Sequence, residues 1–192
     1  MSQTTPSPTS PTLATVTYRV PRIKKEMSLP MARPRCVLPG RTWLVTRRCR
    51  DGRFLLLPGT TTNNILLYSL AYAVAKTGVQ LHAFFFSVNH YHIVLTDPHA
   101  KLPEFEYWLN MLSARAINRH LQRRGAVYES DNTYTYDRVD LLDLETVVEK
   151  CRYVEANGVK DQLVAKARQW PGVSSCKENW PDFVVDSSIS SD

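Results

Sequence analysis

The pattern of apolar and polar positions divides the middle of the chain into four extended segments and three helical ones. Apolar residues that alternate, or that run on for four to eight residues, indicate strands, whereas apolar residues three or four apart indicate helices. In chain order the predicted elements are a strand at 42–46, a helix at 60–77, strands at 79–88 and 90–96, a helix at 102–123, a strand at 125–128 and a helix from Asp140 or Asp143 to about Asn157. Helices flanking a mostly antiparallel sheet make an α+β fold with a ferredoxin-like outline.

The connections between these elements carry three further expectations. Only Asn89 separates the second and third strands, which indicates either an antiparallel pair or one bent strand. The polar segment 131–140 contains Tyr134 and Tyr136, whose rings either tuck against the sheet or stack on unpaired bases. The segment 170–175, with its Trp-Pro and Ser-Ser pairs, is expected to pack back on the domain.

The composition of the chain indicates how it divides into a folded domain and two tails. A chain of 192 residues with 43% hydrophobic residues suits one folded domain with a real core. Residues 1–40 are rich in Ser, Thr and Pro and then basic, so we expect a disordered N-terminal extension. Residues 41–180 are the predicted domain, and residues 181–192 a flexible tail.

Cysteine usage and hydropathy bear on location. The four cysteines are widely spaced and form no Cys-x-x-Cys pair, which argues against a structural zinc cluster. No apolar run is long enough to span a bilayer, and we recognise no secretory signal. We therefore expect reduced thiols, no membrane partner and a cytoplasmic location.

A basic charge balance changes the picture of possible partners. The formal net charge is +6 and the sequence pI is about 9.2, which favours a polyanion such as nucleic acid. Arg47 and Arg48 at the end of the first strand, and Arg115 and Arg119 on one flank of the long helix, are the candidate phosphate contacts. Arg50 and Arg53 extend the first cluster. The alternative for each group is a solvated, charged surface.

The candidate chemistry is concentrated in four residues. His90 and His92 are two apart on a predicted strand, so their side chains share one face of the sheet. Two neutral imidazoles on one face can hold a divalent metal ion, although a His-x-His pair is often only polar sheet edge. Further along, Tyr153 and Asn157 are four residues apart, which places them on one flank of a predicted helix.

Taken together, these motifs resemble those of the HUH single-tyrosine transposases, and in particular the REP-associated tyrosine transposase branch. The matching segments are the histidine strand at 88–95, an aromatic segment of the long helix at 105–110, the tyrosine segment at 152–159 and the closing segment at 170–175. Three features depart from the family pattern. Gly158 stands where proline is usual, so we expect a looser turn, and Val88 replaces the common methionine or proline before Asn-His, a packing change. The segment 130–140 is acidic where family members are often basic.

The resemblance implies an activity and a set of site residues. Tyr153 is expected to attack a DNA phosphodiester, forming a 5′-phosphotyrosine and leaving a free 3′-hydroxyl, so that the strand can be rejoined elsewhere. His90, His92 and Asn157 are expected to bind Mg²⁺ or Mn²⁺. The implied substrate is single-stranded DNA beside a hairpin, and the implied assembly is a monomer or a homodimer.

Two other functions stay open on the sequence. A catalytically decayed or domesticated copy would bind hairpin DNA without cutting it, an alternative motivated by the acidic segment at 130–140. A metal-dependent hydrolase of small phosphate esters would use the two histidines, but it leaves Tyr153 without a role.

Overall fold

The structure is a computed structural model that describes residues 37–129 and 137–176. The predicted basic extension lies outside the described residues up to residue 36. The predicted tail at 181–192 and the tyrosines Tyr134 and Tyr136 also lie outside them. The elements are β1 (Arg41–Arg48), α1 (Thr60–Thr77), β2 (Gln80–Phe86), β3 (His90–Asp97), α2 (Leu102–His120), β4 (Asp137–Leu141), α3 (Leu144–Glu155) and α4 (Asn157–Lys160).

Four of these elements form one antiparallel sheet in the order β2-β3-β1-β4. α1 and α2 cover one face of the sheet, and α3 covers part of the other. The predicted α+β class, with its antiparallel sheet and flanking helices, is confirmed. No helix in the described part of the chain is long and apolar enough to cross a membrane.

The alternation of side chains along β3 builds both faces. Tyr91, Ile93 and Leu95 point towards α1 and α2, where they join a large apolar core. Val94 points the other way, into a smaller apolar cluster with Val154 of α3. A strand whose two faces are both covered is buried on both sides, which explains why 93–95 is uninterruptedly apolar.

The first helix begins and ends where the apolar pattern predicts. Its end is set by Gly78, which adopts a left-handed conformation with φ of 72° and donates its backbone N–H to the carbonyl of Val74. At its start the N-cap residue is Gly59, which has no side chain to make a capping hydrogen bond.

The fourth strand does not lie where the sequence predicted it. The segment 125–128, predicted as a strand, makes a single bridge between Cys49 and Tyr128, because it is tied instead to α2. The Tyr128 hydroxyl is 2.9 Å from that of Ser113, and Asn118 Nδ2 donates to the carbonyl of Gly125. The fourth strand is β4, which lies in the polar segment predicted as a loop.

Ion pairs explain how so polar a segment forms a strand. Arg41 of β1 donates to Asp140 of β4 at 2.6 Å, and Arg138 of β4 is paired with the buried carboxylate of Glu106 on α2. Charge pairs that are partly or fully buried cannot be recognised from alternation of apolar residues, because they join positions far apart in sequence.

Helix ends also differ from expectation. α2 ends at His120 rather than Arg123, because Gln122 has a φ of 48° and Arg123 folds back to donate to Asn118 Oδ1 at 2.8 Å. α3 ends at Glu155, and the break falls before Asn157 rather than at Gly158. Asn157 therefore begins the separate short helix α4.

Gly158 does not loosen the turn as expected. It is buried within α4, and a Cβ atom there would lie 3.2 Å from the ring of Phe85 and 3.3 Å from Val164. The absence of a side chain thus lets α4 approach the sheet closely.

The connections around β2 match the expectations. β2 and β3 form an antiparallel hairpin closed by the Ser87 N–H donating to the His90 carbonyl at 2.8 Å, so the bent-strand alternative is wrong. The segment 170–175 packs back along β2. The Phe86 N–H donates to the carbonyl of Val173 at 2.9 Å, and the indole of Trp170 donates to the carbonyl of Phe86 at 3.1 Å.

Candidate active site

The two histidines lie side by side on the α3 face of the sheet. Their ring centroids are 4.8 Å apart with the planes at 75°. The pairing of β1 with β3 places Arg48 opposite His90 and Thr46 opposite His92. The predicted common face of the two rings is therefore confirmed.

Each imidazole is held by its Nδ1 atom. His92 Nδ1 is 2.8 Å from the hydroxyl oxygen of Thr46, and His90 Nδ1 is 2.8 Å from Asn89 Oδ1. An Nδ1–H that donates to such an oxygen leaves the Nε2 lone pair available, which is the arrangement found around metal-binding histidines. The strand and these two partners thus fix the position of both rings, and the Asn89 Oδ1 acceptor also fixes the tautomer of His90.

Burial keeps both rings neutral. Burial, together with the nearby His90 and Arg48, lowers the pKa of His92 to about 3. Burial also lowers the pKa of His90, an effect that the carboxylate of Asp161 partly offsets. Both side chains are therefore in the deprotonated form that metal ligation requires.

Tyr153 reaches the histidines from α3. This helix begins at the N-cap Asp143, whose side chain accepts from the Thr146 N–H, and it is anchored by the fully buried Val154. The half-buried ring of Tyr153 lies edge-on to that of His92, with centroids 5.8 Å apart and planes at 78°. Lys160 of α4 places its Nζ 4.0 Å from the centroid of the tyrosine ring.

Asn157 reaches the same site from α4 rather than from the helix that carries Tyr153. It is only 3% exposed, and its side chain is close enough to His90 to contribute to the pKa of that ring. Its Oδ1 atom is buried and makes no hydrogen bond of normal geometry to the described residues, although Asn157 lies close enough to His90 to raise the pKa of that ring as a hydrogen-bond acceptor. The prediction that Tyr153 and Asn157 share one helix is wrong, although the structure brings both to the histidines.

The donor set fits a divalent cation. A buried acceptor without a partner costs about 1–3 kcal/mol, and a cation held by both imidazoles would supply a partner for Asn157 Oδ1. Two imidazole nitrogens and one neutral amide oxygen suit Mn²⁺ and, with water completing the shell, Mg²⁺. No group of three His, Cys, Asp or Glu side chains in the described ranges 37–129 and 137–176 has metal-binding geometry, so the third protein ligand beside the two imidazoles would be the amide.

Four residues around the site were missed by sequence reasoning. Thr46 and Asn89 orient the rings, Lys160 covers Tyr153, and Asp161 Oδ2 lies 3.9 Å from His90 Nε2. Asn89 precedes the first histidine and carries a sequence signal through that position. The role of Thr46 depends on strand register, which the sequence does not reveal.

The candidate DNA-binding arginines fall on different sides of the sheet. Arg48 lies on the histidine face, and its charge lowers the pKa of both rings. Arg47 lies on the opposite face and donates to the carbonyl of Glu129 at 2.6 Å. Arg115 and Arg119 are exposed on α2, which packs on that opposite face. The structure thus brings only Arg48 of these four to the site, and DNA contact by any of them stays a prediction.

Comparison with known proteins identifies the fold. No family model matches the sequence, and no curated protein matches it. Among solved structures, a REP-associated tyrosine transposase bound to a REP hairpin aligns with a TM-score of 0.60 and 16% identity over 77% of this chain and 83% of that one. A Deinococcus radiodurans protein provisionally described as a transposase aligns with a TM-score of 0.43 and 19% identity over 65% of this chain and 96% of that one. On the first of these alignments, the chain has the fold of a REP-associated tyrosine transposase, the branch that its motifs resemble.

Proposed function

We propose that this protein is a transposase that cuts and rejoins single-stranded DNA beside hairpins, with Tyr153 as the covalent nucleophile. The observation that carries the proposal is the convergence of three elements on one spot. The Tyr153 ring contacts the His92 ring, and Asn157 presents an unpartnered amide oxygen beside His90. The shared fold with a transposase that was solved on a REP hairpin supports hairpin-associated DNA as the substrate.

The reaction exchanges one phosphate ester for another. The phenol oxygen of Tyr153 bonds to phosphorus as its proton is lost, and the bond from phosphorus to the 3′ oxygen breaks. The departing 3′ oxygen takes up a proton and becomes a free hydroxyl, while the 5′ end stays on the tyrosine. A 3′-hydroxyl of another strand reverses the exchange, so rejoining requires no nucleotide cofactor.

The surrounding residues supply position and charge. His90, His92 and Asn157 would hold a Mg²⁺ or Mn²⁺ ion. Such an ion, when bound, neutralises charge on the phosphate. Thr46 and Asn89 orient the imidazoles, and burial holds both of them neutral.

Basic groups lie beside the same spot. Lys160 packs over the Tyr153 ring, and Arg48 lies opposite His90 on the paired strand. Both place positive charge where an incoming DNA phosphate is expected.

The structure weakens the reason for a non-cutting hairpin binder. That alternative rested on the acidic segment at 130–140. Within its described part, Asp140 is paired with Arg41 at 2.6 Å, so its charge is compensated. A hydrolase of small phosphate esters is also less well supported, because Tyr153, whose ring contacts His92, has no role in that reaction.

The deciding experiment looks for the covalent product. Labelled single-stranded oligonucleotides carrying the hairpins that flank the gene are incubated with protein and Mn²⁺, and adducts are resolved on a denaturing gel. We expect an adduct that Tyr153→Phe and EDTA both abolish. Tyr68→Phe, an exposed tyrosine on the opposite side of the sheet, serves as the matched control and retains it. A shifted band on a native gel without any adduct would favour the hairpin binder.

A further inference from the structure

A short loop at the end of β1 exposes an aromatic ring. Phe54 is 62% exposed, the most exposed Phe, Tyr or Trp side chain in the described part of the chain. It follows the turn Arg50–Gly52 and precedes Leu56, which is almost fully buried. Single exposed apolar residues are common on protein surfaces, so exposure alone carries no conclusion. This loop is also anchored on both sides of Phe54, adjacent to the candidate active site and basic, and these three properties together indicate a role for the exposed ring.

The loop is held in place on both sides of Phe54. The Arg53 N–H donates to the Arg50 carbonyl at 3.2 Å, and the Leu55 N–H donates to the Arg53 carbonyl at 2.9 Å. On the other side, the Leu56 N–H donates to the carbonyl of Val88 at 2.9 Å. The backbone therefore presents the ring of Phe54 to solvent instead of letting it fold inward.

Asn89 joins this loop to the candidate active site. Its Nδ2 donates to the carbonyl of Gly52 at 3.1 Å, while its Oδ1 accepts from His90 Nδ1 at 2.8 Å. Its backbone carbonyl also accepts from the Cys49 N–H at 2.6 Å. One side chain thus connects a predicted metal ligand to the residue two positions before Phe54, which places the loop that carries Phe54 at the margin of the site.

The surroundings of the ring are basic. Arg48, Arg50 and Arg53 are all exposed, and Asp51 is the acidic residue of this segment, with Oδ2 3.5 Å from Arg53 Nη2 and 4.0 Å from Arg50 Nε. Three arginines and one aspartate leave two positive charges. Exposed ion pairs of this length are weak, so both guanidinium groups can exchange Asp51 for a phosphate.

We infer that Phe54 is a stacking platform for an unpaired base next to the cleaved phosphate, with Arg50 and Arg53 contacting the flanking backbone. An exposed ring beside arginines is the surface with which proteins bind single-stranded nucleic acid, whereas a duplex keeps its base faces stacked on one another. The platform therefore selects the unpaired strand adjoining a hairpin over the paired stem. This inference rests on the proposed function for the identity of the DNA.

The test measures binding in EDTA, where no cutting takes place, by fluorescence anisotropy of the full chain with two labelled DNAs. One is a hairpin with an unpaired extension and the other is the same hairpin with blunt ends. We expect Phe54→Ala to weaken binding of the extended hairpin roughly five- to a hundredfold, as for the loss of one base stack, and to leave the blunt hairpin unchanged. Phe54→Trp retains a ring and Leu57→Ala removes an equally exposed apolar side chain from the same loop, so both bind as wild type.

Two further readouts separate stacking from charge. Arg50→Gln and Arg53→Gln each reduce the dependence of log K on log salt by about 0.7 for a single strand, while Phe54→Ala leaves that slope unchanged. The fluorescence of Phe54→Trp is quenched by the extended hairpin beyond any change in the wild type. A change in oligomeric state of Phe54→Ala with unchanged DNA binding would overturn the inference in favour of a protein contact.

The outcomes distinguish this inference from the proposed function. Equal binding of wild type and Phe54→Ala, including no binding by either, overturns the platform even where the wild type forms the tyrosine adduct. A selective loss in Phe54→Ala without any adduct from the wild type upholds the platform and overturns the transposase chemistry.

Discussion

The two faces of the sheet are built on different principles. The face under α1 and α2 carries a large apolar core in which Tyr91, Phe105 and Leu109 are fully buried, and the buried carboxylate of Glu106 is neutralised by Arg138. The face under α3 has a small apolar cluster and a buried polar set, in which each imidazole has an oriented partner and Asn157 Oδ1 has none. The face under α1 and α2 contributes stability through its buried apolar area. The face under α3 buries less apolar area, because polar groups that can bind a ligand or react occupy part of it.

α3 illustrates the difference. Its apolar residues predict a buried stripe, yet Leu144 is 78% exposed and Val148 is 41% exposed, and only Val154 is fully buried. A helix that rests on one edge of a small cluster keeps few packing contacts. Its position is set by Val154, by the partly buried Val147 and Cys151 that pack against the same cluster, and by the ring contact between Tyr153 and His92.

The largest expected effect is a loss of stability caused by a substitution in the apolar face. Phe105→Ala removes a fully buried ring and is expected to lower the free energy of unfolding by about 3–5 kcal/mol. Leu144→Ala, on the exposed side of α3, is expected to change it by less than about 0.5 kcal/mol. Urea unfolding of both variants checks the contrast, and equal losses would refute the account of the two faces.

The next effect concerns the histidine face. Thr46→Val removes the hydroxyl that holds His92 Nδ1 and is expected to weaken Mn²⁺ binding about 10- to 100-fold. Thr42→Val is the matched control, since Thr42 lies on the same face of the same strand and bonds to Thr96 instead. Calorimetric titration with Mn²⁺ compares the two, and an equal loss in both variants would contradict a specific role for Thr46.

The pH dependence of stability is a second property of the histidine face that can be measured. The pKa of His92 in the folded protein is about 3, below the 6.5 of an ordinary histidine, so between these values the unfolded state binds more protons. Stability therefore falls as the pH falls through this window, by about 2 kcal/mol between pH 7 and pH 5 for one such ring. Unfolding measured in EDTA at both pH values tests this.

Two variants identify the source of that pH effect. His92→Asn lacks the buried ring, so its free energy of unfolding is expected to fall by about 2 kcal/mol less between pH 7 and pH 5 than that of the wild type. Tyr153→Phe retains both histidines and is expected to keep it. A pH dependence that is the same in all three proteins would exclude His92 as its cause.

The smallest expected effect compares two arginines on opposite faces. Arg48→Gln removes a charge beside the histidines and is expected to reduce the salt dependence of single-strand binding by about 0.7. Arg119→Gln removes an exposed charge from α2, on the far side of the sheet, and is expected to leave that slope unchanged. The reverse result would place the DNA on the α1 and α2 face.

Local signals in the sequence were sufficient for most of the fold. The helix at 60–77 was predicted to the residue, because an apolar stripe ends at a glycine that adopts a left-handed conformation. The short link at Asn89 predicted either the hairpin of β2 and β3 or one bent strand, and the structure selects the hairpin. The segment 170–175 was predicted to pack on the domain, and the structure places it along β2. β4 was missed, since the partners that stabilise it, Arg41 and Glu106, are distant in sequence.

The sequence by itself determined the order of the elements from β1 to α2 and the shared face of His90 and His92, which depend on local periodicity and residue type. Tyr153 and Asn157 were chosen as their partners because the motifs resemble those of a known family. Only the tertiary structure decided that Asn157 approaches from its own short helix, that Thr46 orients His92, and that Arg48 alone among the candidate arginines lies beside the site. Register, close packing and burial decide these properties, and each depends on residues that meet only when the chain is folded.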